Sequence, residues 1–100
     1  MILDKFITNL KSIYDNDKNT ITNYFNGWKS TYKLISIDII NDKNNYQNID
    51  NYSGKIKIIN IKNQKTGKNI SFSVDDIKDY KIKDDKIIVI LNGKKLKIAY

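Results

Sequence analysis

The stretch that decides the fold is residues 86–100, KIIVILNGKKLKIAY. Six residues rich in Ile, Val and Leu precede Asn92-Gly93, and a segment of alternating polar and apolar residues follows it. Asn-Gly between two such segments is the strongest short-range signal of a β-hairpin, since both residues tolerate the positive φ angles of a tight turn. The continuous apolar run 87–91 predicts a central strand that is covered on its second face as well.

Upstream of this hairpin, four short segments show the two-residue period of β-strands. They are residues 32–40 (with Leu34 out of phase), 54–62, 70–74 and 78–83. In the second of them the isoleucines of 56–61 fall into two opposite phases, which predicts a β-bulge or a strand covered on both faces. The polar, Asn-rich segment 41–53 lacks alternation and is expected to be a loop.

The N-terminal part has a helical period instead. Apolar residues between positions 2 and 14 recur at three- and four-residue spacing, as on one face of an amphipathic helix. A second set follows at similar spacing, with Gly27 as a C-terminal stop: Ile21, Tyr24, Phe25 and Trp28. Two short helices are expected within 2–28, with one kinked helix as the alternative.

Helices followed by five or six short antiparallel strands predict an α+β fold. The helices are expected to pack on a small bent antiparallel sheet or on a partly open barrel of SH3-like or Sm-like element order. Residues 1–100 are expected to form one domain, helical over 2–28 and antiparallel sheet over 32–100. Apolar phase within each element predicts these core residues: Leu10, Ile13, Phe25, Trp28, Ile37, Ile58, Val89 and Leu91.

The chain contains no His, Cys, Arg, Glu or Pro. The first four types supply many of the nucleophiles, tunable bases, bidentate anion clamps and metal ligands of proteins. No catalytic residue, metal site or cofactor is therefore predicted, and the protein is not expected to be an enzyme.

Two motifs partly match the sequences of metal-binding sites, and both are interpreted as turns. Residues 15–19, DNDKN, match the first half of a calcium loop, but Thr20 stands where the loop needs Gly and Asn26 where it needs Glu. Asp-x-Lys, a nuclease signature, occurs three times between positions 76 and 86, about as often as this composition gives by chance. Helix-breaking and solvated turn residues explain both patterns.

The net charge of +7 is concentrated in the C-terminal half, where residues 53–100 carry twelve Lys and five Asp. Three strands each carry two lysines spaced two apart, on one side of the strand: Lys55 and Lys57, Lys81 and Lys83, Lys95 and Lys97. If these strands were neighbours, the six ammonium groups would form one surface that attracts phosphates or an acidic protein. The alternative is a solvated sheet face in a Lys-rich, codon-biased composition, with Lys blocking edge pairing.

A second candidate binding segment is the predicted loop 41–53. It contains Tyr46 and Tyr52 among Asn and Gln residues, a combination that suits protein recognition. The alternative is a mobile loop without a binding role.

The residues therefore favour a small non-catalytic binding protein that docks onto or occludes a protein or a protein–nucleic acid complex. In size, AT-rich composition and lack of catalytic residues, the chain is similar in character to phage or mobile-element accessory proteins, including inhibitors of bacterial defence systems. The alternative is a small β-barrel that binds nucleic acid directly through a lysine-rich sheet face. The first residues do not resemble a signal peptide and no stretch is long enough to span a membrane, so a cytoplasmic location is expected.

Overall fold

In the computed structural model, which describes residues 3–100, one helix packs on two antiparallel sheets. The helix α1 spans Asp4–Tyr14. The strands are β1 Thr20–Phe25, β2 Trp28–Lys33, β3 Ile35–Asn41, β4 Tyr46–Asn48, β5 Ile56–Asn63, β6 Asn69–Ser73, β7 Asp79–Lys83, β8 Lys86–Leu91 and β9 Lys94–Ala99. A short 3-10 helix, Val74–Asp76, leads from β6 towards β7.

The strands divide into a five-stranded sheet of order β2-β1-β9-β8-β7 and a four-stranded sheet of order β4-β3-β5-β6. The predicted α+β class and the antiparallel pairing are confirmed. The single sheet of five or six strands is wrong, because the described strands form two sheets, of five and four strands; these strands form no closed barrel. The predicted boundary at residue 32 is also wrong, since strands begin at Thr20.

The chain passes between the two sheets at Leu34, the residue that is out of phase in the sequence. Leu34 has a φ of 53°, a left-handed conformation that costs a non-glycine residue about 1–2 kcal/mol. Its N–H donates to the carbonyl oxygen of Asn19 (3.0 Å), and its carbonyl oxygen accepts from the N–H of Gln64 (3.1 Å). Neighbouring backbone thus holds the corner, and the predicted strand 32–40 divides there into the end of β2 and the whole of β3.

The helix and the inner faces of both sheets share one apolar core. From α1 it takes Phe6, Ile7, Leu10 and Ile13, and the ring of Phe6 lies 5.1 Å from that of Tyr80. The strands contribute these residues to the core: Ile21, Ile35, Ile37, Ile39, Ile59, Ile61, Ile70, Phe72, Ile87, Val89, Leu91, Leu96 and Ile98. The helix therefore contributes to the interior between the two sheets and is not a surface attachment.

The second predicted helix is wrong, because β1 and β2 form a β-hairpin there. Asn26 and Gly27 form its turn, with φ angles of 50° and 80°, the conformation that Asn-Gly favours in two-residue hairpins. The apolar residues of this segment recur at a spacing that also fits one face of a helix. The Asn-Gly pair favours a hairpin instead, and the hairpin is the structure that forms. The first predicted helix is confirmed over the described residues, and Ile2 at its predicted start lies outside them.

Most of the predicted core is confirmed. Leu10, Ile13, Ile37, Val89 and Leu91 are buried. The other three predictions are wrong, since Phe25 and Trp28 are exposed at the turn of the β1–β2 hairpin, and Ile58 is half-buried on the outer face of the four-stranded sheet, beside Ile40.

Two finer predictions about the strands are confirmed in whole or in part. The strand β8 is central, since it lies between β7 and β9. The predicted cover on its second face is wrong, because Ile88 and Ile90 are half-buried on the outer face of the five-stranded sheet. The phase slip in β5 is a β-bulge, because Ile40 pairs with Ile58 while Asn41 pairs with Ile56, which leaves Lys57 without an opposite residue.

The segment predicted as the loop 41–53 is held by the buried side chain of Asn41. Its Oδ1 accepts from the N–H groups of Lys43 and Asn45, both at 3.0 Å, and its Nδ2 donates to the carbonyl oxygen of Ser53 at 3.1 Å. The segment also contains the short strand β4, which pairs with β3. The predicted absence of strand structure is wrong for these three residues.

Replacing Asn19 with alanine is expected to lower the free energy of unfolding by about 1–3 kcal/mol, the usual cost of leaving a buried polar group unpaired. Asn19 is 4% exposed; its Oδ1 accepts from the N–H of Ile35 (2.7 Å) and its Nδ2 donates to the carbonyl oxygen of Tyr14 (2.9 Å). Urea denaturation measures the loss. The matched control is Asn16→Ala in the same turn, whose hydrogen bond is exposed; equal losses in the two variants would contradict the prediction.

Candidate functional site

The outer face of the five-stranded sheet consists of three rows of residues that pair across the strands, and we name it the lysine face. In strand order, the rows are Lys29, Tyr24, Lys95, Ile90 and Asp79; Thr31, Thr22, Lys97, Ile88 and Lys81; and Lys33, Thr20, Ala99, Lys86 and Lys83. Seven lysines against one aspartate give this face a net charge of +6. The face therefore carries most of the charge of a chain whose total is +7.

The alternation of residues along each strand places these lysines on one side. Ile21, Leu96, Ile98, Ile87 and Val89 are buried against the other sheet and the helix, so their sequence neighbours point to the opposite face. At the centre, Ile88 and Ile90 are half-buried between strands that bear lysines, whose aliphatic stems can cover apolar surface while the ammonium groups stay in water.

The charge of this face is not neutralised by carboxylates of the chain. Within residues 3–100, no lysine of the face lies within 4 Å of a carboxylate oxygen, and the ion pair found there, Lys62 with Asp38 at 3.7 Å, is on the four-stranded sheet. Lys95 Nζ lies 4.8 Å from the ring centroid of Tyr24, a cation–π contact that leaves the positive charge in place. The seven ammonium groups are thus available to an anionic partner.

Four of the six lysines predicted from spacing lie on the lysine face: Lys81, Lys83, Lys95 and Lys97. Their strands, β7 and β9, are separated by β8 and are therefore about 10 Å apart. The other two lie elsewhere: Lys55 precedes β5, and Lys57 is in β5 on the four-stranded sheet, with its Nζ 3.1 Å from Asn44 Oδ1. The three strands are therefore not neighbours, and the condition for one six-lysine surface is not met.

Sequence reasoning missed three lysines of the face. Lys29 and Lys33 lie on β2, whose residues were divided between the end of a predicted helix, an unassigned stretch and the start of a predicted strand, and Lys86 has no lysine two residues away. The Asn26-Gly27 turn signal could have identified β2, and with it Lys29 and Lys33. Nothing in the local sequence of Lys86 marks it.

The two tyrosines predicted in the segment 41–53 do not form a common surface. Tyr46 on β4 is 70% exposed. Tyr52 is half-buried and packs against the core, with Lys11 Nζ 5.5 Å from its ring centroid. Tyr52 is therefore partly structural, and Tyr46 remains available to a partner.

A pair of exposed aromatic side chains stands at the turn of the β1–β2 hairpin, and we name it the aromatic tip. Phe25 is 51% exposed and Trp28 is 79% exposed, and they pair directly across the strands. On the other neighbour of β1, Lys94 pairs with Phe25. The tip points to the inner side of the sheet, whereas the lysine face begins one residue further along each strand, at Tyr24 and Lys29.

The remaining surface offers little chemistry. An open groove of about 500 Å³ is lined by Asp4, Tyr52, Lys55 and Asp75, among others, and holds no nucleophile–base pair. Outside the groove, partial burial and the nearby Asp15 carboxylate raise the pKa of Asp50. The carboxylates of Asp15 and Asp50 therefore do not belong to the groove.

The interpretation of residues 15–19 as a turn is confirmed. The side-chain oxygens of Asn16 and Asn19 accept hydrogen bonds from the N–H groups of Lys18 and Ile35, so both are occupied by backbone groups. Across residues 3–100 there is no group of three His, Cys, Asp or Glu side chains placed to hold a metal ion.

Helices of the described chain are too short or too polar to cross a membrane. Comparison of the chain with protein-family models, with curated proteins and with solved structures found no match. The function must therefore be inferred from the surfaces of the chain itself, of which the lysine face is the most strongly charged.

Proposed function

We propose that this protein is a non-catalytic binding protein that docks onto nucleic acid, free or within a protein–nucleic acid complex, through the lysine face. The observation that carries the proposal is the concentration of seven lysines and one aspartate on one sheet face. Such a surface neutralises phosphates and releases their counterions, which is the main source of sequence-independent affinity for nucleic acid.

The composition of the face favours phosphate over an acidic protein surface. Protein–protein interfaces are depleted in Lys and enriched in Arg and aromatic residues, whereas this face has seven Lys, no Arg and a single aromatic residue, Tyr24. It also lacks the Arg, Asn and Gln side chains that read base edges. Binding without sequence preference follows from this composition.

The size of the face also suits a nucleic-acid backbone. Five strands spaced about 4.8 Å apart span about 19 Å. Successive nucleotides rise about 3.4 Å along the axis of a duplex, so the sheet spans about five or six nucleotide steps along that axis. This number is close to the number of lysines available.

A protein that only binds can act by occluding a site that another protein needs. On composition, we propose that the chain is an accessory or inhibitor protein of phage or mobile-element character, which would act in this way. The genes beside its own provide the direct test of that role: phage or mobile-element genes support it, and a conserved housekeeping operon would contradict it.

Binding to nucleic acid is expected to weaken steeply with salt. With about five phosphate contacts, the plot of log affinity against log salt concentration should have a slope of about −4 to −5 on duplex DNA and about −3 to −4 on single strands. Fluorescence anisotropy of labelled oligonucleotides measures both slopes. The competing hypothesis, a protein partner, predicts no binding of either oligonucleotide at low salt, and that result would overturn the proposal.

A further inference from the structure

We infer that the aromatic tip is a base-stacking site, so that single-stranded nucleic acid is the preferred ligand of this protein. The inference rests on the proposed function for the phosphate contacts and adds a separate site for the bases. Its residues are Phe25 and Trp28, which lie at the end of the hairpin whose outer side belongs to the lysine face.

The exposure of the tip shows that the fold does not use these rings. Trp28 and Phe25 are the most exposed large aromatic residues of the five-stranded sheet. Directly paired residues in antiparallel strands have their Cβ atoms about 5 Å apart, so the two side chains leave neighbouring backbone positions on the same side of the sheet. A base that stacks on them would remove apolar surface from water without displacing any element of the protein.

The charges of the hairpin and of the neighbouring strand β9 favour an anionic ligand. Lys94, opposite Phe25, lies on the same side of the sheet as the tip, whereas Lys29 and Lys95, both opposite Tyr24, belong to the lysine face on the other side of the hairpin. The strands β1, β2 and β9 contain no acidic residue. Single-stranded nucleic-acid binding sites combine rings on which bases stack with a positively charged surface that follows the phosphates. Here the two components lie on opposite sides of one hairpin, so a strand reaches both by passing round the end of the hairpin.

A protein partner is the less favoured ligand for the same surface. Exposed Trp and Phe residues also anchor protein interfaces, but residues that surround such anchors are typically depleted in Lys. Duplex DNA is less favoured as well, because its bases are already stacked on each other. A single strand offers unpaired bases to the rings and phosphates to the lysines.

The chain provides its own reporter, since Trp28 is its single tryptophan. Its fluorescence is to be followed as a short oligothymidylate, a duplex of equal length and inorganic polyphosphate are added in turn. Oligothymidylate is expected to quench the emission to saturation because a base stacks on the indole. Duplex and polyphosphate, which offer phosphates but no unpaired bases, should bind with little quenching.

Removal of either ring tests the site independently of fluorescence. Trp28→Ala and Phe25→Ala are each expected to weaken oligothymidylate binding by about 5- to 150-fold, the range measured for loss of one stacked base. Affinity for polyphosphate should not change, and Trp28→Phe should retain most of the oligothymidylate affinity. Tyr46→Ala, which removes an exposed ring from the other sheet, is the matched control and should bind as the wild type does.

The outcomes separate the two proposals. If oligothymidylate and polyphosphate bind but the Trp28 emission and the Trp28→Ala affinity do not change, base stacking is overturned and the proposed function stands. If neither ligand binds, both fail. If duplex quenches Trp28 as strongly as oligothymidylate, or if only a protein partner does so, the preference for single strands is overturned.

Discussion

Replacing Phe6 with alanine is expected to lower the free energy of unfolding by about 3–5 kcal/mol, the usual range for a buried aromatic residue. Phe6 is fully buried in α1, within the core shared by the helix and both sheets. Its ring lies 5.1 Å from that of Tyr80 on β7 at an angle of 56°, a favourable tilted arrangement. Truncation would leave a cavity and remove this ring contact together.

Such a loss is large beside the whole stability of a domain, which is about 5–15 kcal/mol. Urea denaturation followed by far-UV circular dichroism measures it, because that signal reports on the sheets and the helix together. Tyr46→Ala is the matched aromatic control and should change stability by no more than about 0.5 kcal/mol, as exposed positions do. A similarly small effect for Phe6→Ala would mean that the helix does not pack in the core as described.

Phe6 lies on the apolar face that the helical period of residues 2–14 predicts, although it is not among the core residues predicted from the sequence. The strands β5 to β9 were also predictable to within two residues at each end. Their signals are local: alternation within each strand, an Asn-Gly turn between β8 and β9, and a phase slip at the bulge of β5. Local signals need no knowledge of the rest of the chain.

The division into two sheets could not be predicted in the same way. It depends on Leu34, a single residue whose positive φ turns the chain from one sheet to the other. Leu has no preference for that conformation; the buried side chain of Asn19 and the backbone of Gln64 stabilise the corner from a distance in sequence. Nothing in the sequence distinguishes Asn19 and Asn41 from the other asparagines of an Asn-rich chain, so their structural roles could not be predicted.

The candidate site shows the same limit. A two-residue period gives the side of a strand on which a lysine lies, and this was sufficient to group Lys81 with Lys83 and Lys95 with Lys97. The period does not say which sheet a strand joins. Lys57 was therefore grouped with them by spacing although β5 belongs to the other sheet.

The double variant Lys81→Asp/Lys95→Asp is expected to weaken nucleic-acid binding by about 100-fold at moderate salt while leaving the fold intact. Both lysines are exposed on the lysine face, and their reversal lowers its net charge from +6 to +2. Exposed ion pairs contribute about 0.2–1 kcal/mol each, so a change of four charges amounts to about 3 kcal/mol, or about 100-fold. The salt slope should also become shallower by about two contacts.

The control for this variant is Lys65→Asp/Lys68→Asp, in the exposed turn between β5 and β6 of the other sheet. Both variants lower the charge of the whole chain from +7 by four, so they differ only in where the charge is removed. If affinity depends on the lysine face, the first variant loses binding and the second retains most of it. Equal losses in the two variants would show that only the overall charge attracts the ligand, and wild-type binding by the first would show that the lysine face is a solvated surface without a binding role.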